Sequence, residues 1–378
     1  MSPKIKNLLP PGNYFFEGNQ ACAEAALAAG CRFFAGYPIS PSSEILERLS
    51  WRLPEVGGVF IQMEDEIASI AAVIGAVWAG AKAMTATSGP GLSLMLENIG
   101  YAIITETPCV VVDVQRAGPS TGQATRPYDG DIMQVKWGSS GDYQIIALAP
   151  WSVQEMYDLT IQAFNLAELY RVPVFVMGDA ALAHLRESCR IPEEVEIVGR
   201  KKASGVAHFG TDELSGVPPM ASFGEGEGLI ITGSTHDALG YRRTQDSDIQ
   251  QKLVNRLNEK ILSNVGEIIE TEEYFLEGAD VAVVAYGIVA RAALAAVKEA
   301  RLRGIKIGLL RLKTLWPFPE EKIRALEAKK IVVPELNRGQ LVREVERVAQ
   351  AEVISVNRVD GEIMRPGEIV EAIKGVRD

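Results

Sequence analysis

The sequence predicts an α/β protein with two doubly wound domains. Between residue 17 and about 185, apolar strand-like runs alternate with amphipathic helix-like segments, and the same alternation returns from about residue 273 onward. Alternation of this kind indicates a parallel sheet with crossover helices on both faces. The chain has 378 residues, 47% of them hydrophobic, which is enough material for two buried cores.

The predicted elements of the first domain, residues 1–195, follow one another closely. They are helix 17–30, strand 32–40, helix 42–52, strand 58–64, helix 65–81, strand 82–88, helix 91–105, strand 108–116, helix 130–137, strand 145–150, helix 152–170 and strand 172–178. Ser42 and Ser152 each precede a helix pattern with an acidic residue in its first turn. Both serines are therefore predicted N-caps.

Residues 196–272 interrupt this pattern with segments rich in Gly and Pro and a charged helix at 245–262, so we interpret them as a linker or excursion. Alternation resumes in the second domain, residues 273–378. Its predicted strands are 279–287, 305–312, 330–337 and 352–359, and its predicted helices are 288–303, 319–328, 339–350 and 366–375.

Charge and composition exclude several classes of protein. The net charge of −11 without a local basic cluster argues against a nucleic-acid or anionic-membrane surface. The first 20 residues lack the apolar core of a signal peptide, and every long apolar stretch is interrupted, so we expect a cytoplasmic protein. The four cysteines lack CxxC spacing and lie within element patterns, which predicts buried thiols without a disulfide or iron–sulfur cluster: Cys22, Cys31, Cys109 and Cys189.

A turn almost devoid of side chains, TSGPG at 87–91, joins a strand pattern to a helix pattern. In open parallel sheets ligands bind beyond the carboxyl ends of the strands, and loops 37–43, 63–66 and 115–127 are expected at that same edge. The start of a helix suits a negative or hydrogen-bonding ligand. Taken alone, a Gly-Pro turn is also consistent with a simple connection, and it fits neither the dinucleotide pattern nor the P-loop pattern.

Glu66 changes the interpretation of this turn. It opens an Ala/Gly-rich helix that is followed by a strand and then by TSGPG. This order resembles the pyrimidine-binding domain of thiamine diphosphate enzymes, and the resemblance implies that Glu66 binds the aminopyrimidine ring of the cofactor. A carboxyl group in a dry pocket can share its proton with a ring nitrogen, and its pKa should be raised by desolvation. The alternative is that Glu66 only favours its helix dipole, as Glu64 and Asp65 could.

The second half of a thiamine diphosphate site is missing from the sequence. In these enzymes a GDG motif, with an Asn some way downstream, holds Mg²⁺ on the diphosphate. The closest matches, YDGDIMQ (128–134), SSGDYQ (139–144) and MGDAAL (177–182), lack GDG. The resemblance therefore implies that the diphosphate half lies on another polypeptide, and we predict no metal ligands in this chain.

The full set of motifs resembles the α subunit of 2-oxoacid:ferredoxin oxidoreductases, and among these the 2-oxoglutarate type. The motifs are GNQACAEAALAAGCRFFAGYPISPSSE, EDEIASIAAVIGAVWAGAKAMTATSGPGLSLM, VQRAGPSTGQATRP, LRLKTLWPFPE and VPELNRGQLVREV. The resemblance implies a pyrimidine-binding domain followed by a transketolase C-terminal-like domain. It also implies CoA-dependent oxidative decarboxylation of a 2-oxoacid to acyl-CoA and CO₂, with electrons passing to ferredoxin.

The family also implies cofactors and partners. Thiamine diphosphate would be shared with a β subunit that carries Mg²⁺ and a [4Fe–4S] cluster, CoA would be the cosubstrate, and a γ and sometimes a δ subunit would complete the complex. Glu66 matches the glutamate that activates the aminopyrimidine, and Ser88 and Gly89 of the turn are the further cofactor-binding residues.

The resemblance also implies roles for residues on the substrate side, each matched by its position in a family motif. Ser40, where the family motif YPITPSS has Thr, matches a hydroxyl that contacts the 2-oxoacid, and Arg116 matches an arginine that faces it. An Arg at a strand end could instead be a solvated charge. Thr121 and Arg126 are candidates for binding a second carboxylate of the substrate, and a flexible loop with an incidental Arg fits them as well.

Two other functions are compatible with this fold. One is an E1β-like dehydrogenase or transketolase-type subunit, against which YPISPSS and GPSTG argue. The other is a non-catalytic scaffold subunit that keeps the fold, against which the joint presence of Glu66, Ser40 and Arg116 argues. His184, His208 and His236 lack ligand spacing, and Trp316 and Phe318 are predicted to lie in the core or a subunit interface.

Overall fold

The structure, a computed structural model, describes residues 3–375 apart from 204–206, 212, 214, 226 and 227. Up to residue 196 the elements in chain order are β1 (Lys4–Lys6), β2 (Gly12–Glu17), α1 (Gly18–Ala28), β3 (Cys31–Gly36), α2 (Ser43–Glu55), β4 (Val59–Gln62), α3 (Glu66–Trp78), β5 (Lys82–Thr87), α4 (Gly89–Ile104), β6 (Val110–Gln115), α5 (Ile132–Trp137), β7 (Ile146–Leu148), α6 (Val153–Tyr170), β8 (Val174–Asp179), α7 (Ala180–His184), β9 (Arg186–Ile191) and β10 (Glu194–Glu196).

The remaining elements begin after a long irregular segment. They are α8 (Ser247–Leu262), α9 (Val265–Ile268), β11 (Thr271–Tyr274), β12 (Val281–Tyr286), α10 (Gly287–Leu302), β13 (Ile307–Leu312), β14 (Thr314–Trp316), α11 (Glu320–Arg324), β15 (Lys330–Glu335), α12 (Leu341–Val348), β16 (Glu352–Asn357) and α13 (Pro366–Gly375).

The larger sheet has seven strands in the order β14-β7-β8-β6-β5-β3-β4, all parallel except β14. Its faces are covered by α1, α2 and α6 on one side and by α3 and α4 on the other. After β3 the chain adds β4 on one side and β5 on the other, so the topological switch point lies between β3 and β5. Ligands of open parallel sheets bind at such a point.

The second sheet has the order β11-β13-β12-β15-β16, with only β11 antiparallel. Helices α10 and α13 pack on one face, while α11 and α12 share a hydrophobic cluster with α3 and α4 of the larger sheet. The two sheets are also joined directly, because β14 pairs with β7. The predicted pair of doubly wound α/β units is confirmed.

Several elements differ from the sequence predictions. Strands β1, β2, β9 and β10 form two antiparallel pairs outside the main sheets, where strict alternation of helix and strand gives no signal for them. The helix predicted at 319–328 is only Glu320–Arg324. Ser152 caps α6 by accepting from the Glu155 N–H at 3.2 Å. Ser42 is the N-cap residue of α2, as predicted, but its hydroxyl donates to the Ile39 carbonyl oxygen at 2.9 Å and makes no capping hydrogen bond.

Side chains singled out in the sequence are mostly buried. All four cysteines are buried, as predicted, and burial raises the pKa of each thiol to about 12. Trp316 lies in the core and donates from Nε1 to the Ile132 carbonyl oxygen at 2.9 Å. His208 and His236 are buried, while His184 is partly exposed. Within the described ranges, no helix is both long enough and apolar enough to cross a membrane.

A buried charge cluster fastens the excursion to the first domain. Glu106, at the end of α4, accepts from Arg256 Nη1 at 2.6 Å and from Lys260 Nζ at 2.9 Å, and both donors lie on α8. Burial raises the pKa of Glu106, but the attraction of Lys260, Arg256 and Arg171 outweighs it and holds the pKa well below its usual range. Arg171 in turn donates to carbonyl oxygens of His208, Pro218 and Pro219. The irregular segment is therefore held to the first domain by hydrogen bonds.

Glu106→Gln should destabilise the fold by about 3–5 kcal/mol, because it leaves buried cations without their counter-charge. The parent gains stability from this group above its unfolded-state pKa of about 4.3 and loses it as pH falls toward the lower folded-state pKa. The variant should lack that part of the pH dependence. Denaturant unfolding at several pH values measures both effects. The exposed Glu97→Gln in α4 is the control, and equal stability of the two variants would contradict the assignment.

Candidate cofactor and substrate site

The predicted site residues gather at the topological switch point of the larger sheet. Helices α3 and α4 both begin there, α3 at Glu66 and α4 at Gly89, directly after β5. Asp65 caps α3, since its Oδ1 accepts from the Ala68 N–H at 2.7 Å. Two helix starts therefore converge on one edge of the sheet, where their free N–H groups favour polar or negative ligands.

Glu66 is buried, with 5% of the residue exposed, and it lies against the glycine turn. A Cβ at Gly91 would lie 2.1 Å from Thr87 Oγ1 and 2.5 Å from Glu66 Oε1. Only glycine at this position leaves room for the carboxyl group. Desolvation raises the pKa of Glu66, and the neighbouring Asp65 raises it further, while Arg116 lowers it. The result is a carboxyl group that holds its proton more readily than a solvated glutamate does.

The first residues of the turn are equally tight. A Cβ at Gly89 would lie 2.9 Å from Asp131 Oδ2, so a carboxyl group of loop 129–131 packs directly on the start of α4. Ser88 precedes it and is fully buried, and its Oγ has no hydrogen-bond partner among the described residues. Such a buried hydroxyl is costly unless another group hydrogen-bonds to it.

Arg116 contacts Ser40, but through the backbone of Ser40 and not through its hydroxyl group. Arg116 Nη1 donates to the Ser40 carbonyl oxygen at 2.7 Å, and the guanidinium is buried. Its Nε has no partner among the described residues. Ser40 itself is exposed, so its hydroxyl is accessible from solvent. Burial of Arg116 makes the alternative of a freely solvated surface charge wrong.

Two neighbouring aspartates lie near this arginine, Asp113 buried and Asp131 half-buried. Burial raises the pKa of Asp113 well above its usual range, and Asp131 raises it further. Burial raises the pKa of Asp131 to about 6, while Asp113 and Arg116 lower it. Asp113 therefore holds its proton more readily than a solvated aspartate does. This pair was not predicted from the sequence, although an Asp inside the apolar strand VVVDVQ is a usable signal of a buried polar site.

Loop 117–127 carries the two remaining candidates and lies farther out. Thr121 and Arg126 are exposed, and Arg126 Nη1 forms an ion pair with Glu362 Oε1 of the second domain at 2.7 Å. The structure thus brings Glu66, Ser88, Gly89, Arg116 and Ser40 to one edge. It leaves Thr121 and Arg126 on the rim.

This arrangement fits the pyrimidine half of thiamine diphosphate. Glu66 offers a carboxyl group with a raised pKa, and Ser88 offers a buried hydroxyl in need of a partner. Gly91 leaves room for the carboxyl group of Glu66, and Gly89 leaves room for that of Asp131. Fold and site together define a protein of the thiamine diphosphate-dependent class, in which this chain supplies the pyrimidine-binding domain.

Comparison with protein families specifies the class. The model for pyruvate flavodoxin/ferredoxin oxidoreductases, thiamine diphosphate-binding, matches residues 24–255, and the model for core domain II of pyruvate:ferredoxin oxidoreductase matches residues 279–369. The chain belongs to the pyruvate flavodoxin/ferredoxin oxidoreductase family. The family resemblance predicted from the motifs is confirmed.

Individual relatives are similar over nearly the whole chain. The 2-oxoglutarate synthase subunit KorA of Methanocaldococcus jannaschii is 54% identical over 96% of this chain and 99% of its own length. The same subunit of Methanothermobacter marburgensis is 51% identical over 96% and 99%. The ketoisovalerate oxidoreductase subunit VorB of Methanothermobacter thermautotrophicus is 40% identical over 95% and 97%.

Two solved structures extend the comparison. The 2-oxoglutarate:ferredoxin oxidoreductase from Magnetococcus marinus, with 2-oxoglutarate, coenzyme A and succinyl-CoA bound, is 34% identical with a TM-score of 0.89. The match covers 97% of this chain and 65% of that chain, so the present chain spans just under two thirds of its length. A split-gene transketolase, an inactive β4 tetramer, matches 95% of both chains at a TM-score of 0.54 and 14% identity, which shows a shared fold.

Gly91→Ala should displace the Glu66 carboxyl group, because the added Cβ would overlap it and Thr87. We expect a loss of about 1–3 kcal/mol in the free energy of unfolding. Thiamine diphosphate should bind at least about tenfold more weakly in the assembled complex, the equivalent of about 1.4 kcal/mol. Calorimetric unfolding and cofactor titration measure the two effects.

Gly75→Ala is the matched control, since a Cβ at Gly75 in α3 meets no described atom within 4 Å. It should be neutral or slightly stabilising, as Gly→Ala in a helix is elsewhere. Unchanged cofactor affinity in the Gly91 variant would show that Glu66 and the turn do not bind the cofactor.

Proposed function

We propose that this chain is the α subunit of a 2-oxoglutarate:ferredoxin oxidoreductase. The complex would carry out CoA-dependent oxidative decarboxylation of the 2-oxoacid to acyl-CoA and CO₂, with electrons passing to ferredoxin. Relatives at 51% and 54% identity are named 2-oxoglutarate synthase subunits, and the similar structure at 34% identity holds 2-oxoglutarate and succinyl-CoA. Similarity to transketolase at 14% identity is a likeness of fold, so the E1β-like or transketolase-like alternative is not favoured.

The observation that carries the proposal is the buried Glu66 carboxyl group packed on the SGPG turn. In this proposal Glu66 hydrogen-bonds the aminopyrimidine ring and passes a proton to and from its ring nitrogen. A positioned group works best in this role when its pKa lies near the working pH, and burial moves the pKa of Glu66 in that direction. Thiamine diphosphate, when bound, supplies the carbon nucleophile that protein side chains lack.

On the substrate side, Arg116 is proposed to bind the 2-oxoacid carboxylate. Its guanidinium is oriented by the Ser40 carbonyl oxygen and keeps Nε unused by the described residues, so it has donors to offer. A buried guanidinium binds a carboxylate strongly because both partners are charged and little water competes. The exposed Ser40 hydroxyl is proposed as a second contact, and Ser88 with Gly89 as contacts to the cofactor.

The rest of the active site is assigned to partner subunits. Thiamine diphosphate is proposed to lie between this chain and a β subunit that holds its diphosphate with Mg²⁺ and carries a [4Fe–4S] cluster. A γ subunit, in some complexes a δ subunit, and ferredoxin complete the proposed set, with CoA as cosubstrate. Support comes from the relatives' designation as subunits and from a sequence without GDG. We also propose the boundaries 1–195, 196–272 and 273–378 for the two domains and the excursion.

The direct test uses the complex co-purified with this chain. Reduction of ferredoxin or a viologen is followed with 2-oxoglutarate, pyruvate and a branched 2-oxoacid, each with CoA. The proposal predicts the highest kcat/KM with 2-oxoglutarate, and it predicts that this chain alone, supplied with thiamine diphosphate and CoA, is inactive. A preference for the branched 2-oxoacid, or activity of the isolated chain, would contradict it.

Glu66→Gln should lower turnover by roughly 10²–10⁴, the usual contribution of a positioned acid–base group. The amide keeps the size of the side chain and its hydrogen bonding, so the fold and assembly should survive. Steady-state kinetics of the complex provide the measurement. Glu64→Gln, two residues earlier and outside the buried pocket, is the control. If Glu66 acts only on the helix dipole, both variants should turn over like the parent and differ by a few tenths of a kcal/mol in stability.

Arg126 is tested together with its ion-pair partner Glu362. If Arg126 binds the distal carboxylate, Arg126→Ala should raise KM about tenfold for 2-oxoglutarate and much less for pyruvate. Glu362→Gln frees the guanidinium and should not raise KM for 2-oxoglutarate. If the ion pair only holds the loop, both variants should affect both substrates alike, and Arg126 would be removed from the recognition residues.

A further inference from the structure

The segment VPELNRGQ, residues 333–340, is part of the family resemblance but has no role in the chemistry described so far. It comprises the end of β15 and the loop that leads to α12, at the topological switch point of the second sheet between β12 and β15. It forms hydrogen bonds with residues 129–133 of the first domain. Those residues connect the substrate-side loop to α5, so the contact joins the second domain to the candidate site.

Asn337 is the fixed point of this segment. The residue is fully buried, and its Oδ1 accepts from the Gly339 N–H at 2.8 Å and the Gln340 N–H at 2.9 Å. Its Nδ2 donates to the Asp129 carbonyl oxygen at 2.7 Å. The Glu335 carboxylate accepts from the N–H groups of Leu341 and Val342, which anchors the start of α12. Hydrogen bonds among residues 335–342 therefore fix the shape of the segment that contacts the first domain.

Gln340 makes the second connection, with both ends of its amide. Nε2 donates to the Gly130 carbonyl oxygen at 2.6 Å, and Oε1 accepts from the Met133 N–H at 3.3 Å. The Asp129 N–H also donates to the Leu336 carbonyl oxygen at 3.2 Å. Together with the bond from Asn337, four hydrogen bonds hold five consecutive residues of the first domain against the second.

The residue at the centre of this held stretch is Asp131. Its N–H donates to Gln115 Oε1 at 3.0 Å, and its carboxyl group packs on Gly89 and pairs with Asp113. Its charge also acts on Arg116. A shift of the 129–133 backbone would therefore move a carboxyl group that touches the start of α4 and faces the proposed substrate arginine.

We propose that Asn337 and Gln340 are positioning residues for the active site, and that through them the second domain controls substrate and cofactor affinity. They fix residues 129–133 so that Asp131 supports the Gly89 turn and holds the Arg116 guanidinium in place. A second attachment reinforces them on the same loop, the ion pair of Arg126 with Glu362. The inference rests on the proposed function, because it assigns these residues to the site built around Glu66 and Arg116.

The test replaces Gln340 by Met in the complete complex. Met matches the volume of Gln but makes neither hydrogen bond, so packing is preserved while the connection is lost. We expect KM for the 2-oxoacid to rise about tenfold, the scale set by the loss of two neutral hydrogen bonds, with a smaller change in kcat. The dissociation constant of thiamine diphosphate should rise in parallel. Gln251→Met, the same change at an exposed position of α8, should leave both unchanged.

A purely structural role gives a different result. It would lower the melting temperature or the fraction of assembled complex, and therefore the apparent kcat, while KM and cofactor affinity stay those of the parent. KM and the cofactor dissociation constant both within about twofold of the parent, in fully assembled Gln340→Met complex, would overturn the proposal.

Hydrogen exchange provides a readout that does not depend on activity. In the Gln340→Met complex the backbone amides of residues 129–135 and 91–93 should exchange faster, while those of α6 should not. Unchanged exchange in 129–135 would also overturn the proposal. If the parent complex oxidises no 2-oxoacid at all, the proposed function fails, and exchange together with cofactor affinity still decides whether Gln340 positions the site.

Discussion

The Glu66 carboxyl group fills the space that a side chain at position 91 would need, and the rest of the site depends on this close approach. It requires α3 to begin at Glu66 and α4 to begin within the SGPG turn, and it requires both helices to start at the carboxyl edge of the larger sheet. Dense packing around the carboxyl group removes water, and the loss of water raises its pKa. The same close packing requires glycine at position 91 and raises the pKa of the Glu66 carboxyl group.

The ionisable groups next to this pocket are Arg116 and the aspartates Asp113 and Asp131. Arg116 is buried, its Nη1 donates to the Ser40 carbonyl oxygen, and the arginine lowers the pKa of the neighbouring Asp131. Asp131 therefore offsets part of the charge of the guanidinium, whose Nε has no partner among the described residues. The balance depends on loop 129–131, and the second domain holds that loop through Asn337 and Gln340. The second domain therefore contributes to the position of a loop in the first domain.

Much of the fold could be predicted because alternation of helices and strands is a local property. The turn at 87–91, Glu66 at a helix start and Arg116 after a strand are all sequence-local features, and the rule for parallel sheets places them at one edge. The family resemblance added their proposed roles. The prediction failed for β1, β2, β9 and β10, which are antiparallel pairs formed between distant segments.

Residues whose partners lie far away in sequence could not be found in this way. Asp131 appeared in the sequence only within YDGDIMQ, which lacks the GDG motif, because its contact with Gly89 joins two segments of the first domain that are distant in sequence. The attachment of α8 through Glu106 joins residues 150 positions apart, and no periodic pattern encodes it. Strand β14 was not predicted because it has only three residues. It lies directly after β13 in the chain but pairs with β7 of the larger sheet. Each of these features depends on tertiary contacts rather than on local propensity.

The central claim is that the Glu66 carboxyl group activates the bound cofactor by proton exchange with its aminopyrimidine ring. The most direct measurement is the rate at which the C2 proton of thiamine diphosphate exchanges with solvent deuterium in the assembled complex, without substrate. We predict exchange at least about 10²-fold slower in Glu66→Gln than in the parent, with Glu64→Gln equal to the parent. Exchange as fast in Glu66→Gln as in the parent would contradict it.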